Sequence, residues 1–214
     1  MRVKRPQGRP KADSNNVGRD ALIAAATRLL ATTPPSRINR LEIARSAGVD
    51  PALIRYYFGN KDRLLAAAME TITNEVQAAT RTALRKHAGA APSERFRAVV
   101  RAFFKVLVTH PHYHQLIVEQ VVHAKSARAR ALRRSITQGF QQMLTELVDE
   151  GREAGEFAAV DTRLLEIALI GMCEFFSSAW PVLEEMFGPN ASRRAVIERY
   201  SRFVADFAVA GISH

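Results

Sequence analysis

Cysteine is nearly absent from this chain of 214 residues: Cys173 stands alone. That excludes a disulfide framework and a cysteine zinc site within one chain. Long hydrophobic runs are missing as well. The longest stretch without Lys, Arg, Asp or Glu is 106–118, and it contains three histidines and a proline. It is too short to span a bilayer, so no membrane partner is expected. The start, Met1-Arg2-Val3-Lys4-Arg5-Pro6, is basic but leads into no apolar segment. A secretion signal is therefore not expected, and a reducing cytoplasm is the expected compartment. Sustained alternation of β-branched residues occurs nowhere, which argues against sheet. No fixed-period repeat points to a solenoid. The chain also lacks a phosphate-binding glycine loop and a nucleophile motif, so neither an enzyme nor a cofactor is expected.

Negative charge is the remaining shortage. Lys and Arg number 31 against 21 Asp and Glu, a net charge of +10. The surplus is uneven. Residues 1–63 hold 13 basic and 5 acidic residues, whereas 64–214 hold 18 and 16. This asymmetry indicates a polyanion-binding N-terminal part joined to a nearly neutral body. Apolar residues make up 47% of the chain, enough for a sizeable core.

Residues 1–16 are polar and basic, with Pro6, Gly8 and Pro10, and are expected to be disordered in isolation. Helix follows helix thereafter. Leu22, Ala26, Leu29 and Leu30 form a stripe over 19–31, stopped by Pro34-Pro35. Short helices are expected at 40–46 and 51–57, and a long one at 61–87. A Ser93 cap opens a helix to Thr109, and Pro111 opens one to His123. Further helices are expected over 126–150, 161–187 and 191–210. The fold class is all-α, with about nine helices.

The informative stretch is 38–58. Asn39 is placed as an N-cap with Glu42 three residues on, a capping box, and Ile38 with Ile43 forms a hydrophobic staple. Asp50 is the next N-cap, with Pro51 at the first helical position. Gly48 suits a left-handed turn closing the first helix. Two short helices joined by such a turn form a helix-turn-helix, with Ala44 permitting a close crossing. The alternative is a helical corner with no nucleic-acid role, and the basic surplus of the same residues weighs against it.

Residues 19–66 resemble the N-terminal domain of the TetR family of bacterial transcriptional regulators. The matching pieces are Ala21-Leu22-Ile23-Ala24-Ala25-Ala26, Ile43-Ala44-Arg45-Ser46-Ala47-Gly48-Val49, Tyr56-Tyr57-Phe58-Gly59-Asn60-Lys61 and Leu64-Leu65. The resemblance implies a flexible arm (1–16), a three-helix, homeodomain-like DNA-binding domain (17–66) and a C-terminal helical domain for ligand binding and dimerisation (67–214). It implies a homodimer on a double-stranded palindromic operator, released by an unknown small-molecule effector, with an activator as the alternative. The chain departs from the usual pattern at Leu53, where a small hydroxyl residue is common, and at Arg55, where tyrosine is common. Arg40 and the segment Thr32-Thr33-Pro34-Pro35-Ser36 also differ. A different operator sequence is expected for that reason.

The expected DNA contacts are Asn39, Arg40, Arg45, Leu53, Arg55, Tyr56, Tyr57 and Lys61. Arg55 suits bidentate bonding to guanine, or a phosphate; Leu53 suits a thymine methyl. Arg40 suits a base edge or a phosphate. By resemblance Tyr57 is the better phosphate donor and Tyr56 is partly core. Lys61 resembles the family's phosphate-contacting lysine, with Asn60 as the helix cap. Arg37 and Arg45 suit backbone contact or solvent. The segment 7–11 resembles a minor-groove arm, with non-specific attraction as the alternative.

Farther along, His110, His112, His114 and His123 invite a metal reading. Pro111 breaks the helical spacing of His110 and His114, so a helix-junction role is expected and no metal. Lys125, Arg128, Arg130, Arg133 and Arg134 form a basic patch expected to face solvent. Phe103, Phe104, Tyr113, Phe140, Met143, Met172 and Phe176 are expected to line a ligand cavity. Phe175, Tyr200, Phe203 and Phe207 are expected at the dimer interface. Cys173 is expected to be a buried, inert thiol.

Overall fold

A computed structural model describes residues 12–122 and 127–214. In order they form α1 (Ala12–Leu29), α2 (Arg40–Ala47), α3 (Ala52–Phe58), α4 (Lys61–Lys86), α5 (Pro92–Thr109), α6 (Tyr113–Ile117), α7 (Ala127–Glu153), α8 (Thr162–Ser178), α9 (Trp180–Phe187) and α10 (Arg193–Ile212). A π-helical turn, Val118–Val122, extends α6. The all-α class follows the apolar periodicity. Residues 1–11, His123 and Lys125 lie outside the described residues, as does the side chain of Arg128; residues 12–16, expected as the end of a disordered arm, are helical as the start of α1.

The helix count exceeds nine because the expected helix over 161–187 is two. Pro181 has no N–H to donate, and its ring would strike the carbonyl of residue 177 in a continuous helix. Ser177 and Ser178 donate their hydroxyls to the carbonyls of Cys173 and Glu174, at 2.7 and 2.9 Å, which also favours bending. The chain turns by 80° between α8 and α9. No single helix among the described residues is long and apolar enough to cross a membrane.

Other boundaries also shift. Helix α1 starts at Ala12, ahead of the stripe that marks it in the sequence. Helix α5 opens at Pro92, not after a Ser93 cap; Ser93 donates its N–H to Glu156 Oε2 at 3.1 Å. Helix α7 runs through Gly151 to Glu153. Gly151 has a packing role there, since a Cβ would lie 2.0 Å from the ring of buried Phe157.

Helix α4 organises the molecule. It packs against α1 and α3 of the N-terminal part and against α5, α6 and α7 of the body. Leu64, Leu65, Ala68, Met69, Ile72 and Val76 lie buried along it, and one continuous hydrophobic cluster runs from Leu22 to Ile212. Helix α5 is the second spine, contacting α7, α8 and α10. Between α5, α8 and α10 the rings of Phe176 and Tyr200 stack at 4.3 Å, with Phe104 edge-on to Phe176 at 5.2 Å. Tyr200 donates its hydroxyl to the carbonyl of Met172 at 3.0 Å.

Candidate nucleic-acid interface and internal cavity

The helix-turn-helix is built by local chemistry. Glu42 N–H donates to Asn39 Oδ1 at 2.9 Å, so Asn39 caps α2. Gly48 is left-handed, at φ 67°. Ala52 N–H donates to Asp50 Oδ1 at 2.7 Å, and α3 begins one residue later than the sequence indicates, with Pro51 as its flanking residue. Ile38, Ile43, Ala44 and Ile54 are buried in the angle between the two helices. Arg28 donates to the Ser46 carbonyl at 3.2 Å and ties the end of α2 to α1. The Arg19 guanidinium lies over the Phe58 ring at 5.4 Å.

This scaffold leaves Arg37, Asn39, Arg40, Arg45, Arg55 and Tyr56 exposed. The burial of the two tyrosines is the reverse of the expectation. Tyr56 is 68% exposed, whereas Tyr57 is half-buried and packs on the core. Successive helical residues point about 100° apart, so only one of the pair can face the core. Leu53 is also half-buried against the core. Asn60 caps α4 by accepting the Arg63 N–H at 2.9 Å. Lys61 is engaged from within: its Nζ donates to the carbonyls of Ile38 at 3.0 Å and Pro35 at 3.3 Å. It thereby bolts the start of α4 to the segment entering α2. Arg37, Asn39, Arg40, Asn60 and Lys61 line a shallow groove there.

The second feature is internal. A cavity of about 80 Å³ lies between α4, α5, α6, α7 and α8, lined by Thr73, Phe103, Tyr113, Phe140, Glu166 and Glu174 among others. The rings of Phe103 and Phe140 stack at 4.5 Å. Thr73 and Tyr113 share a buried hydroxyl contact of 2.8 Å. A more polar pocket of about 220 Å³ adjoins it, sharing Val76, Gln77 and Phe140 and reaching Met143. Gly139 lets α7 approach here; a Cβ would lie 3.0 Å from Gln77 Nε2. Together the two pockets reach the lower end of the usual ligand-site range, about 300 Å³.

The third feature is an apolar face. Phe175, Phe203 and Phe207 are each more than half exposed, beside Leu164 and Ile167 on α8. Met186 on α9 is 71% exposed. The Phe203 and Phe207 rings stack at 5.8 Å, and exposed apolar surface of this kind suits a partner.

Two family models match the chain. Residues 22–68 match the bacterial regulatory proteins of the tetR family, and residues 89–180 match the tetracyclin repressor-like C-terminal domain. The chain belongs to the TetR family. TetR proteins are transcription regulators rather than enzymes, and the capped pair α2 and α3 is this member's DNA-binding helix-turn-helix. The chain is 36% identical over 96 residues to the HTH-type transcriptional regulator BetI of Rhizobium meliloti, 45% of this chain and 46% of that one. It thus spans about half the length of the curated relatives it matches. Two solved structures share the fold. A TetR family regulator from Marinobacter aquaeolei has a TM-score of 0.65 at 20% identity, covering 95% of this chain and 99% of its own. FadR from Bacillus subtilis, in complex with stearoyl-CoA, has a TM-score of 0.64 at 21% identity, covering 90% and 98%.

Of the residues expected at a TetR ligand cavity, Phe103, Tyr113, Phe140 and Met143 line the two pockets. Phe104 and Phe176 belong instead to the aromatic cluster of α5, α8 and α10, where the Met172 carbonyl accepts the Tyr200 hydroxyl. Tyr200, expected at the dimer interface, is half-buried in that same cluster, while Phe175, Phe203 and Phe207 point outward. The histidines diverge. His110 ends α5 and bonds Glu75 of α4 at 2.8 Å, a helix junction, whereas His114 lines the cavity. Arg133 donates to the Val121 carbonyl at 3.0 Å, and Arg130 and Arg134 are exposed. Cys173 is buried, and burial pushes its thiol up to about 12.

Sequence reasoning missed Glu166 and Glu174. Their spacing with Ile170 at i, i+4 and i+8 was a legible signal, but in a helix apolar on most faces it named no neighbour. Burial pushes the Glu174 carboxyl up to about 7 and the Glu166 carboxyl to about 6. The folded chain therefore keeps protons that the unfolded chain has already released. Stability from these groups falls as pH rises from the ordinary carboxylate range, about 4.5, toward 7. Thermal melts across that window should show a shallower decline for Glu174→Gln than for the parent. Equal slopes would show that Glu174 titrates normally.

Proposed function

We propose that this chain is a ligand-released repressor that binds a palindromic operator as a homodimer. The observation that carries the reading is α4. One helix holds Lys61 at the DNA-binding end and Thr73, Val76 and Gln77 at the cavity, a lever of about 18 Å at 1.5 Å per residue. Residues 17–66 form the DNA-reading part, preceded by 1–16, of which 12–16 already belong to α1, and 67–214 the sensing and dimerising part.

In this reading Arg55, with Leu53 beside it, reads base edges in the major groove. Asn39, Arg40, Arg45, Tyr56 and Tyr57 hold the backbone. Lys61 contributes charge at a helix start and transmits the position of α4 to α2. A small molecule among Phe103, Tyr113, Phe140 and Met143 favours a conformer with α4 shifted. The two recognition helices then no longer match successive grooves. The effector lowers DNA affinity, and DNA lowers effector affinity by the same factor. A partner copy covers Phe175, Phe203 and Phe207 through a two-fold axis. The protein works in the bacterial cytoplasm, on the nucleoid when bound to DNA.

Selection of bound sequences from random duplex DNA tests the reading. The expected product is an inverted repeat with half-sites at multiples of about 34–36 Å. Enrichment of no sequence, or of isolated half-sites, would overturn it.

A further inference from the structure

The cavity has a chemical preference. It is walled mainly by hydrocarbon and aromatic rings, yet two carboxylates reach it from one helix. Glu166, Ile170 and Glu174 all line it from α8, at successive helical turns. Their Cα atoms therefore sit about 12 Å apart along the axis, with an apolar step between them. Among the described residues neither carboxylate has a hydrogen-bond or ion-pair partner in its side chain. No lysine or arginine is among the cavity-lining residues; His114 is the one basic side chain there. Opposite α8 stand the stacked rings of Phe103 and Phe140, with Tyr113 beside them.

Unpaired carboxylates against an apolar wall are costly unless they hold a proton or a cation joins them. Aromatic faces also attract an alkylated ammonium, through the ring quadrupole. Inside this cavity a carboxylate or phosphate headgroup would meet repulsion from Glu166 and Glu174; the nearest fixed cation on the lining, Arg81, belongs to the adjoining polar pocket, which Glu146 also lines. We infer that the effector cavity takes an organic cation with an apolar body, an amine or quaternary ammonium on a hydrocarbon chain, held by Glu166 and Glu174 against Phe103, Phe140 and Tyr113. The inference rests on the cavity being the effector site, as proposed above. It sets this chain apart from the FadR of known structure, whose bound stearoyl-CoA is anionic.

Three probes of one chain length separate the possibilities: decyltrimethylammonium, decanoate and 1-decanol, each below its aggregation limit. Titration calorimetry on the full-length protein should give a dissociation constant for the cation at least roughly tenfold below that of either other probe. Glu166→Gln/Glu174→Gln should collapse that difference. Equal or tighter binding of decanoate or decanol by the parent protein would overturn the inference, as would undiminished cation binding by the double variant. Binding of none of the three would overturn it too. Release of DNA from the selected operator is read in parallel. A cation that binds as expected but leaves the operator occupied supports the cation site and defeats the ligand-released reading. Release by decanoate without cation binding does the reverse.

Discussion

Phe203→Asp should convert the protein to monomers and abolish operator binding at working concentrations. Phe203 is 57% exposed in the isolated chain, in a column with Tyr200 and Phe207 at 6.2 and 5.8 Å between rings. Its side chain makes little of the intrachain core, so the variant should keep its helical circular dichroism. In an isologous interface each substitution occurs twice, once per subunit. Burying an unpaired carboxylate costs roughly 3–5 kcal/mol, so dimer dissociation should strengthen about a thousandfold or more. Sedimentation or light scattering reads the mass directly. A dimer as stable as the parent would place the interface elsewhere, with Met186 and Val182 of α9 as the next surface to test.

Arg55→Ala should relax discrimination at one base pair of each half-site by about 1–3 kcal/mol while binding of scrambled DNA changes little. Arg55 is exposed in the middle of α3, on a helix held by buried Ile54 and Phe58. Loss of its side chain therefore removes contacts rather than the scaffold. Lys61→Ala is the informative contrast. It removes a positive charge and two hydrogen bonds to the chain entering α2, so it should weaken all DNA sequences alike and flatten the salt dependence. Selection from random DNA with each variant separates the two. Unchanged base preference for Arg55→Ala would assign that guanidinium to a phosphate.

Legibility in the sequence followed the range of the interactions. Asn39, Gly48, Asp50 and Asn60 act on backbone groups two or three residues away, so caps and turn could be read in register. The surplus of arginines and lysines up to residue 63 likewise needed no coordinates. Misread points depended on distant partners or on a breaker passed over. Pro181 splits the expected helix over 161–187 by its missing N–H and ring clash, a local rule outweighed by strong apolar composition. Ser93 looked like a cap until Pro92 took the first helical position and Glu156 reached Ser93 from another loop.

The sequence by itself therefore determined an all-helical chain, a capped helix-turn-helix and the charge asymmetry that favours a polyanion. These rest on contacts within a turn or two, or on simple counting. Only the tertiary structure decided which rings line the cavity, that Lys61 grips the Ile38 and Pro35 carbonyls, and that Glu166 and Glu174 face an apolar space. The physical reason is clearest in α8. Its periodicity is nearly uniform, so no stripe marks an inward face. Packing against α5, α7 and α10 buries Leu169, Cys173 and Phe176, turns Glu166 and Glu174 to the cavity, and leaves Leu164, Ile167 and Phe175 outside.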